Sequence, residues 1–305
     1  MKPQVFLTRR VPDPVLSRLE ASFALSDEIA GSAGLVTIPA DVVDAQLFDA
    51  SGPSLRVVAN FGVGYDSVDL TEATRRGIVV SNTPDVLTEA TAELTIALML
   101  ALLRRVVEGD RLVRRRDEWA LAPTFMLGEG LAGKTLGIVG LGRIGREVAR
   151  LADVFGMRVV HTGGSGPYEE LPLDQLLAEA DVVSLHVPLT PETRHLIGAP
   201  ELGLMRRSAV LVNVSRGPVV DEAALVDALV EGRIGGAALD VYEQEPEVSS
   251  RLLGLENVVL SPHLGSSTRV AREAMGMLCA DALEAVLLRK ELPANAVNPE
   301  VWNAE

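Results

Sequence analysis

The chain is short of cysteine, aromatics, basic residues and long apolar runs, and each shortage removes a class of answers. Cys279 is the only cysteine among 305 residues, so no internal disulfide can form and a reducing, cytoplasmic setting is expected. Aromatic residues make up 4% of the chain, so Val, Leu, Ile and Ala must fill the core. Lys and Arg total 28 against 42 Asp and Glu, a formal net charge of −14. That balance argues against a nucleic-acid partner, which needs clustered cations. The basic exception, RLVRRRDEW at 111–119, reads as a solvated helix face. The most apolar run, LTIALMLALLRR, offers about ten uncharged residues before Arg104, half of the roughly 20 that a membrane span needs. No membrane partner is expected, and MKPQVFLTRR lacks the apolar core of a secretory leader. The four histidines, His161, His186, His195 and His263, form no close pair and no zinc spacing, so no metal is expected.

What is present is alternation. QVFLT, LRVVANF and GIVVSNT are short β-branched runs, and helical patterns lie between them. In PDPVLSRLEA, Asp13 is placed to cap and Pro14 suits the first helical position. One long helix is expected from about Leu87 to about Arg116, roughly 45 Å at 1.5 Å per residue. A second alternation runs from GKTLGIVGLGRIG through MRVVHT, ADVVSLHVP, SAVLVNVS, GGAALDVY and NVVLSP. The predicted fold is α/β, with parallel sheets. Residues 1–90 with 278–305 form a discontinuous outer domain, 91–277 a continuous inner one, and the active-site cleft lies between them.

Two connections are too short for this pattern. Parallel neighbours need a crossover of roughly a dozen residues, yet only DEIAGS at 27–32 and GGSGPYEELP at 163–172 are available. Their Gly/Ser content is that of a linker. They read either as natural tight loops or as places where a crossover helix has been deleted.

The strongest single motif is Gly140-Leu141-Gly142-Arg143-Ile144-Gly145, between a strand and a helix. Gly140 permits the tight turn, Gly142 lets backbone approach a pyrophosphate, and Gly145 lets helix and strand pack closely. The helix N-terminus offers free N–H groups and a positive dipole end. Three later strand ends add chemistry. NVSRG delivers Arg216, suited to forking a carboxylate. ALDVYEQEP delivers Asp240, Glu243 and Glu245, and LSPHLGSST delivers His263. Ligands gather at the carboxyl ends of parallel strands, and a carboxylate beside a histidine orients it as a proton donor. Next to a nicotinamide site this set describes hydride transfer to an α-keto acid.

In these motifs, together with VANFGVGYDSVDL, NTPDVLTEATAEL and ADVVSLHVPLTPETRHLI, the chain resembles the D-2-hydroxyacid dehydrogenase family, most closely its glyoxylate/hydroxypyruvate reductase branch. The resemblance covers nearly the whole sequence. It implies a Rossmann-type doubly wound inner domain that binds the dinucleotide, a flavodoxin-like outer domain that binds substrate, and a homodimer. It implies that Arg216 grips the substrate carboxylate and keto oxygen, that His263 is the acid/base, and that Glu245, immediately before Pro246, is its partner. It implies that the backbone N–H groups of Val63 and Gly64 meet the carboxylate. Around the cofactor it implies Gly140, Gly142, Arg143, Ile144 and Gly145, with Thr91, Val214, Ser215, Asp240 and Gly265 near the nicotinamide and Val187 and Thr193 on the adenosine side. The reaction implied is reduction of glyoxylate or hydroxypyruvate to glycolate or D-glycerate.

One position departs from the family. Its NAD-preferring members carry an acid where this chain has Gly163, followed by Gly164 and Ser165. With no carboxylate to repel a 2′-phosphate, the reading leans to NADP(H), with NAD(H) close behind. Alternatives are a short-form phosphoglycerate dehydrogenase, a dinucleotide-sensing corepressor, and an engineered, shortened scaffold.

Overall fold

Buried β-branched runs form the strands of two parallel sheets. The computed structural model describes residues 2–303. The chain divides into two units, Met1–Leu87 with Ser267–Glu305, and Thr88–Ser266.

The first unit contains β1 (Gln4–Leu7), α1 (Asp13–Ser22), β2 (Ala24–Ser26), β3 (Gly34–Thr37), α2 (Ala45–Ser51), β4 (Val57–Asn60), α3 (Leu70–Arg75) and β5 (Val79–Ser81). Its strands pair in parallel in the order β2-β1-β3-β4-β5, the flavodoxin-like order. Leu35, Phe48, Val58 and Val80 anchor its core. Asp44 caps α2 by accepting from the N–H groups of Gln46 and Leu47. Asp13 does not cap α1 as expected. Pro12 is the N-cap, and Asp13 sits one step inside the helix, paired with Arg10 at 2.9 Å.

The second unit contains α4 (Thr88–Leu103), α5 (Val106–Arg115), β6 (Thr135–Leu141), α6 (Arg143–Val154), β7 (Arg158–Gly164), β8 (Glu169–Glu170) and α7 (Leu173–Glu179). It continues with β9 (Val182–Leu185), α8 (Ala199–Leu204), β10 (Val210–Asn213), α9 (Glu222–Val230), β11 (Gly236–Leu239), α10 (Ser250–Leu253) and β12 (Val258–Leu260). The sheet order is β12-β11-β10-β9-β6-β7-β8, parallel throughout. The order reverses at β6, so this is a doubly wound Rossmann-type sheet. The last α-helix, α11 (Arg269–Glu284), lies wholly in the first unit. The expected return at 278 falls inside this helix; the division instead comes at Ser267, in the loop before it.

The single helix expected over 87–116 is broken. The Leu103 carbonyl accepts the Glu129 N–H at 2.9 Å, and Gly128 lies so close to it that a Cβ would collide. With that carbonyl taken, α4 stops, Arg105 turns left-handed (φ 54°), and α5 starts in a new direction.

No helix forms between 163 and 172. β7 runs on to Gly164, residues 165–168 return the chain, and Glu169 and Glu170 pair with Val160 and His161 as a short third strand. The 27–32 segment likewise holds no helix. It suffices as a connection because Ser26 pairs with Phe6 and Gly34 with Val5, so the chain steps back by only one position along β1.

Candidate active site

The carboxyl ends of β10, β11 and β12 lie side by side, because those strands are neighbours in register. Arg216 follows β10 with extended backbone (φ −141°), and its Nη1 donates to the Ser215 carbonyl at 2.9 Å. Asn213, buried at the end of β10, shapes this turn. Its Oδ1 accepts from the N–H and hydroxyl of Ser215, and its Nδ2 donates to the Arg216 carbonyl. The sequence reading missed Asn213. Its only signal is a polar residue closing an apolar strand.

The next residue, Gly217, lies where the Tyr242–Glu243 peptide passes, and any Cβ there would collide with it. This close approach draws the turn after β11 against the turn after β10. Glu245 lies in that turn, and its Oε1 accepts the Tyr242 N–H at 3.1 Å. Its Oε2 lies 2.8 Å from Nδ1 of His263. Partial burial pushes the Glu245 carboxyl up. The hydrogen bond and charge of His263, the Tyr242 N–H and the charge of Arg216 outweigh that, and the carboxyl sits below its ordinary value.

His263 is held left-handed at φ 55°, and its N–H donates to the Asp240 carbonyl. Asp240 is buried and fixes the turn that carries the imidazole. Its Oδ1 accepts from the Ser261 hydroxyl and the Leu264 N–H, and its Oδ2 from the Gly265 N–H. Thr91, buried on α4, lies against Gly265: a Cβ on that glycine would come 3.4 Å from the Thr91 methyl and 3.4 Å from Asp240 Oδ2. Thr91, Asp240 and Gly265 therefore form one cluster beside His263. Glu243 is occupied elsewhere, paired with His195 at 2.8 Å.

The glycine turn follows its sequence logic. Gly140 has φ 97°, and its position leaves a Cβ only 2.9 Å from the His186 backbone and the Val187 side chain. A Cβ on Gly145 would strike the Gly140 carbonyl. Gly142 caps α6 with open space around it. The first N–H groups of α6, which Arg143 and Ile144 open, are of the kind that suits an anion. Thr193 is committed to its own loop, donating to the Pro188 carbonyl and accepting from the Thr190 N–H. Val214 is buried behind Ser215.

At the end of β7, Gly163 has φ 70° and open space beside it. Gly164 is pressed against Leu141, where a Cβ would sit 2.6 Å from the carbonyl. A cation reaches this loop from α6. Arg146 donates from Nε to the Ser165 carbonyl at 3.0 Å and from Nη2 to its hydroxyl at 3.1 Å.

Comparison with known proteins identifies the family. The model of the D-isomer specific 2-hydroxyacid dehydrogenase, NAD binding domain, matches residues 96–265. The chain belongs to the D-isomer specific 2-hydroxyacid dehydrogenase family. Within it, the chain is 48% identical to glyoxylate reductase of Korarchaeum cryptofilum over 326 residues, 99% of this chain and 97% of that protein. It is 45% identical to glyoxylate reductase of Thermococcus litoralis, covering 99% of this chain and 98% of the relative. Among solved structures, the TT0316 protein of Thermus thermophilus superposes with a TM-score of 0.91 at 44% identity, covering 96% of this chain and 99% of that one. The NADPH-dependent glyoxylate/hydroxypyruvate reductase of Sinorhizobium meliloti, in complex with NADP and malonate, superposes at 0.87 with 36% identity and 98% coverage of both chains. The Korarchaeum alignment runs over 326 residues against 305 here, so at least 21 of its positions have no counterpart in this dehydrogenase. Among the described residues no helix is long and apolar enough to cross a membrane, and no cluster of His, Cys, Asp or Glu could hold a metal ion.

Proposed function

We propose that this dehydrogenase reduces glyoxylate or hydroxypyruvate to glycolate or D-glycerate with NAD(P)H. The observation that carries the reading is the 2.8 Å pair of Glu245 and His263 one turn from Arg216, at adjacent strand ends of the unit that holds the glycine turn. The glyoxylate reductases among its relatives support the substrate class.

Arg216 forks the substrate carboxylate and keto oxygen, and the N–H groups of Val63 and Gly64 are proposed as further donors to the carboxylate. A bound nicotinamide supplies the hydride that the keto carbon receives. Glu245 occupies Nδ1 of His263, which leaves Nε2 as the nitrogen that delivers a proton to the developing alkoxide. Arg216 offsets the charge on that oxygen until the proton arrives. Asp240, Thr91, Val214, Ser215 and Gly265 form the nicotinamide end of the cofactor site. Gly140 to Gly145 hold the pyrophosphate, and Val187 and Thr193 flank the adenosine.

NADP(H) is the favoured cofactor. Gly163 puts no carboxylate where the adenosine ribose would lie, and Arg146 brings a cation to Ser165 in the same loop. NAD(H) use follows as the weaker activity, because Gly163 also offers the ribose hydroxyls no partner. A homodimer is the proposed assembly, supported by exposed Val113, Trp119, Leu121 and Leu127 on α5 and the loop after it. A cytoplasmic setting suits the single, buried, unpaired Cys279.

The test is oxidation of NADPH and NADH with glyoxylate, hydroxypyruvate and 3-phosphohydroxypyruvate. No turnover by folded protein would overturn the enzyme reading, and preference for the phosphorylated substrate would make it a phosphoglycerate dehydrogenase.

A further inference from the structure

The loop that follows β4 is held by an arrangement of asparagines that the chemistry above does not use. Three successive carbonyls, those of Gly62, Val63 and Gly64, all turn toward donors of the first unit. The Gly62 carbonyl accepts from the Thr83 N–H at 3.0 Å and from Asn60 Nδ2 at 3.2 Å. The Val63 carbonyl accepts from Asn82 Nδ2 at 2.8 Å. The Gly64 carbonyl accepts from the same Asn60 Nδ2 at 2.9 Å. Asn82 is itself clamped by the C-terminal segment, with Asn295 Nδ2 on its carbonyl at 2.6 Å and its own N–H on the Asn295 carbonyl at 3.2 Å.

These bonds fix more than the carbonyls. In a trans peptide the C=O and the following N–H point in opposite directions, and the peptides of this loop are trans. With the Gly62 carbonyl drawn toward Thr83 and Asn60, the Val63 N–H points the other way. With the Val63 carbonyl drawn toward Asn82, so does the Gly64 N–H. Val63 and Gly64 thereby present two successive N–H groups away from those donors, available to an anion. Asn60 is fully buried and its Oδ1 has no partner among the described residues. An orphaned buried acceptor is unfavourable, so the residue is explained by what its Nδ2 holds.

We propose that Asn60 and Asn82, with Asn295 behind Asn82, are positioning residues that pre-form the carboxylate seat at Val63 and Gly64. The inference rests on the reading that a keto acid's carboxylate binds there. It adds that the C-terminal segment is part of the substrate site's support.

The experiment uses the full chain with Asn82→Ala and, one bond further back, Asn295→Ala. With saturating NADPH, the KM for glyoxylate should rise about tenfold in Asn82→Ala and less in Asn295→Ala, with kcat within about threefold of wild type. Glyoxylamide, which lacks the charge, should lose less than about threefold in kcat/KM. Equal losses for glyoxylate and glyoxylamide, or a fall in kcat at unchanged KM, would overturn the proposal. Calorimetric titration of oxamate onto the NADPH-saturated protein separates the two readings. If wild type turns over no keto acid yet binds oxamate about tenfold tighter than Asn82→Ala, the function falls and the seat stands. If Asn82→Ala binds oxamate as tightly as an active wild type does, the seat falls and the function stands. If wild type neither turns over nor binds oxamate, both fall.

Discussion

Glu245 Oε2 and His263 Nδ1 lie 2.8 Å apart, and each is fixed from behind by backbone. The Tyr242 N–H holds the other oxygen of Glu245, and the Asp240 carbonyl takes the N–H of His263. Replacing His263 with Ala should lower kcat by about 10²–10⁴, the usual range for a positioned proton donor. The Kd for NADPH, read by fluorescence titration, should stay within about threefold. Equal losses in both would count against the proton-donor role.

The same pair predicts a pH dependence. The Glu245 carboxyl lies below its ordinary value, because His263, the Tyr242 N–H and Arg216 outweigh the cost of its burial. A depressed folded value means that the stabilisation is fully present above the unfolded value, about 4.3, and is lost as pH falls through the folded one. The contribution of the Glu245 charge to activity should therefore persist through mildly acid pH and be lost only on the acid side of the ordinary carboxyl range. In Glu245→Gln the charge is gone at every pH, and kcat should drop about 10–100-fold with that acid limb abolished. A pH–rate profile of both proteins checks this; an acid limb that persists in Glu245→Gln would assign it to another group.

Gly217 predicts a structural cost with a functional signature. A Cβ there collides with the Tyr242–Glu243 peptide, which is backbone and has nowhere to rotate. Gly217→Ala should lower stability by about 1–3 kcal/mol through overpacking. It should lower kcat/KM at least about tenfold, since the displaced turn carries Glu245. Thermal melting and steady-state kinetics read the two effects. A fully active Gly217→Ala would mean that the turn tolerates movement.

Much of this was legible because parallel strands are buried on both faces. VVSL, VLVN, GAAL and VVL read as apolar runs with no polar alternation, and each became a strand. Arg216, Asp240 and His263 were legible because each lies within three residues of the end of such a run. The break at Arg105 was not, because its cause is a hydrogen bond from Glu129, far along the chain. β8 was hidden for a different reason: two exposed glutamates carry no strand pattern, and only pairing with Val160 and His161 makes them one. Asn60 and Asn82 were equally silent, since an asparagine after an apolar run says nothing of which carbonyl it will reach. The contact of Arg146 with Ser165 depends on how α6 lies beside the end of β7.

The exposed apolar residues of α5 and its following loop predict the assembly. Trp119 and Phe125 stack at 6.0 Å, while Val113, Leu121 and Leu127 are exposed to solvent. A single chain gains nothing from that exposure, whereas a second copy would bury it. Sedimentation should give a dimer for the wild-type chain. Leu121→Asp with Val113→Asp should shift it toward monomer. A monomeric wild type at micromolar concentration would remove the dimer from the reading.

The last prediction concerns Gly163. Its side is open, its φ is 70°, and Arg146 reaches Ser165 two residues on. An aspartate tolerates this left-handed backbone better than most residues. Gly163→Asp would set a carboxylate where it can accept from the ribose hydroxyls and repel a 2′-phosphate. The ratio of kcat/KM for NADPH to that for NADH should fall at least about tenfold. Arg146→Ala should lower NADPH use about tenfold more than NADH use, because only the 2′-phosphate offers that guanidinium a negative charge. Because each guanidinium bond to Ser165 also steadies the loop, the informative quantity is the ratio between cofactors. A change that is equal for NADPH and NADH would mean that Arg146 supports the loop without reading the phosphate.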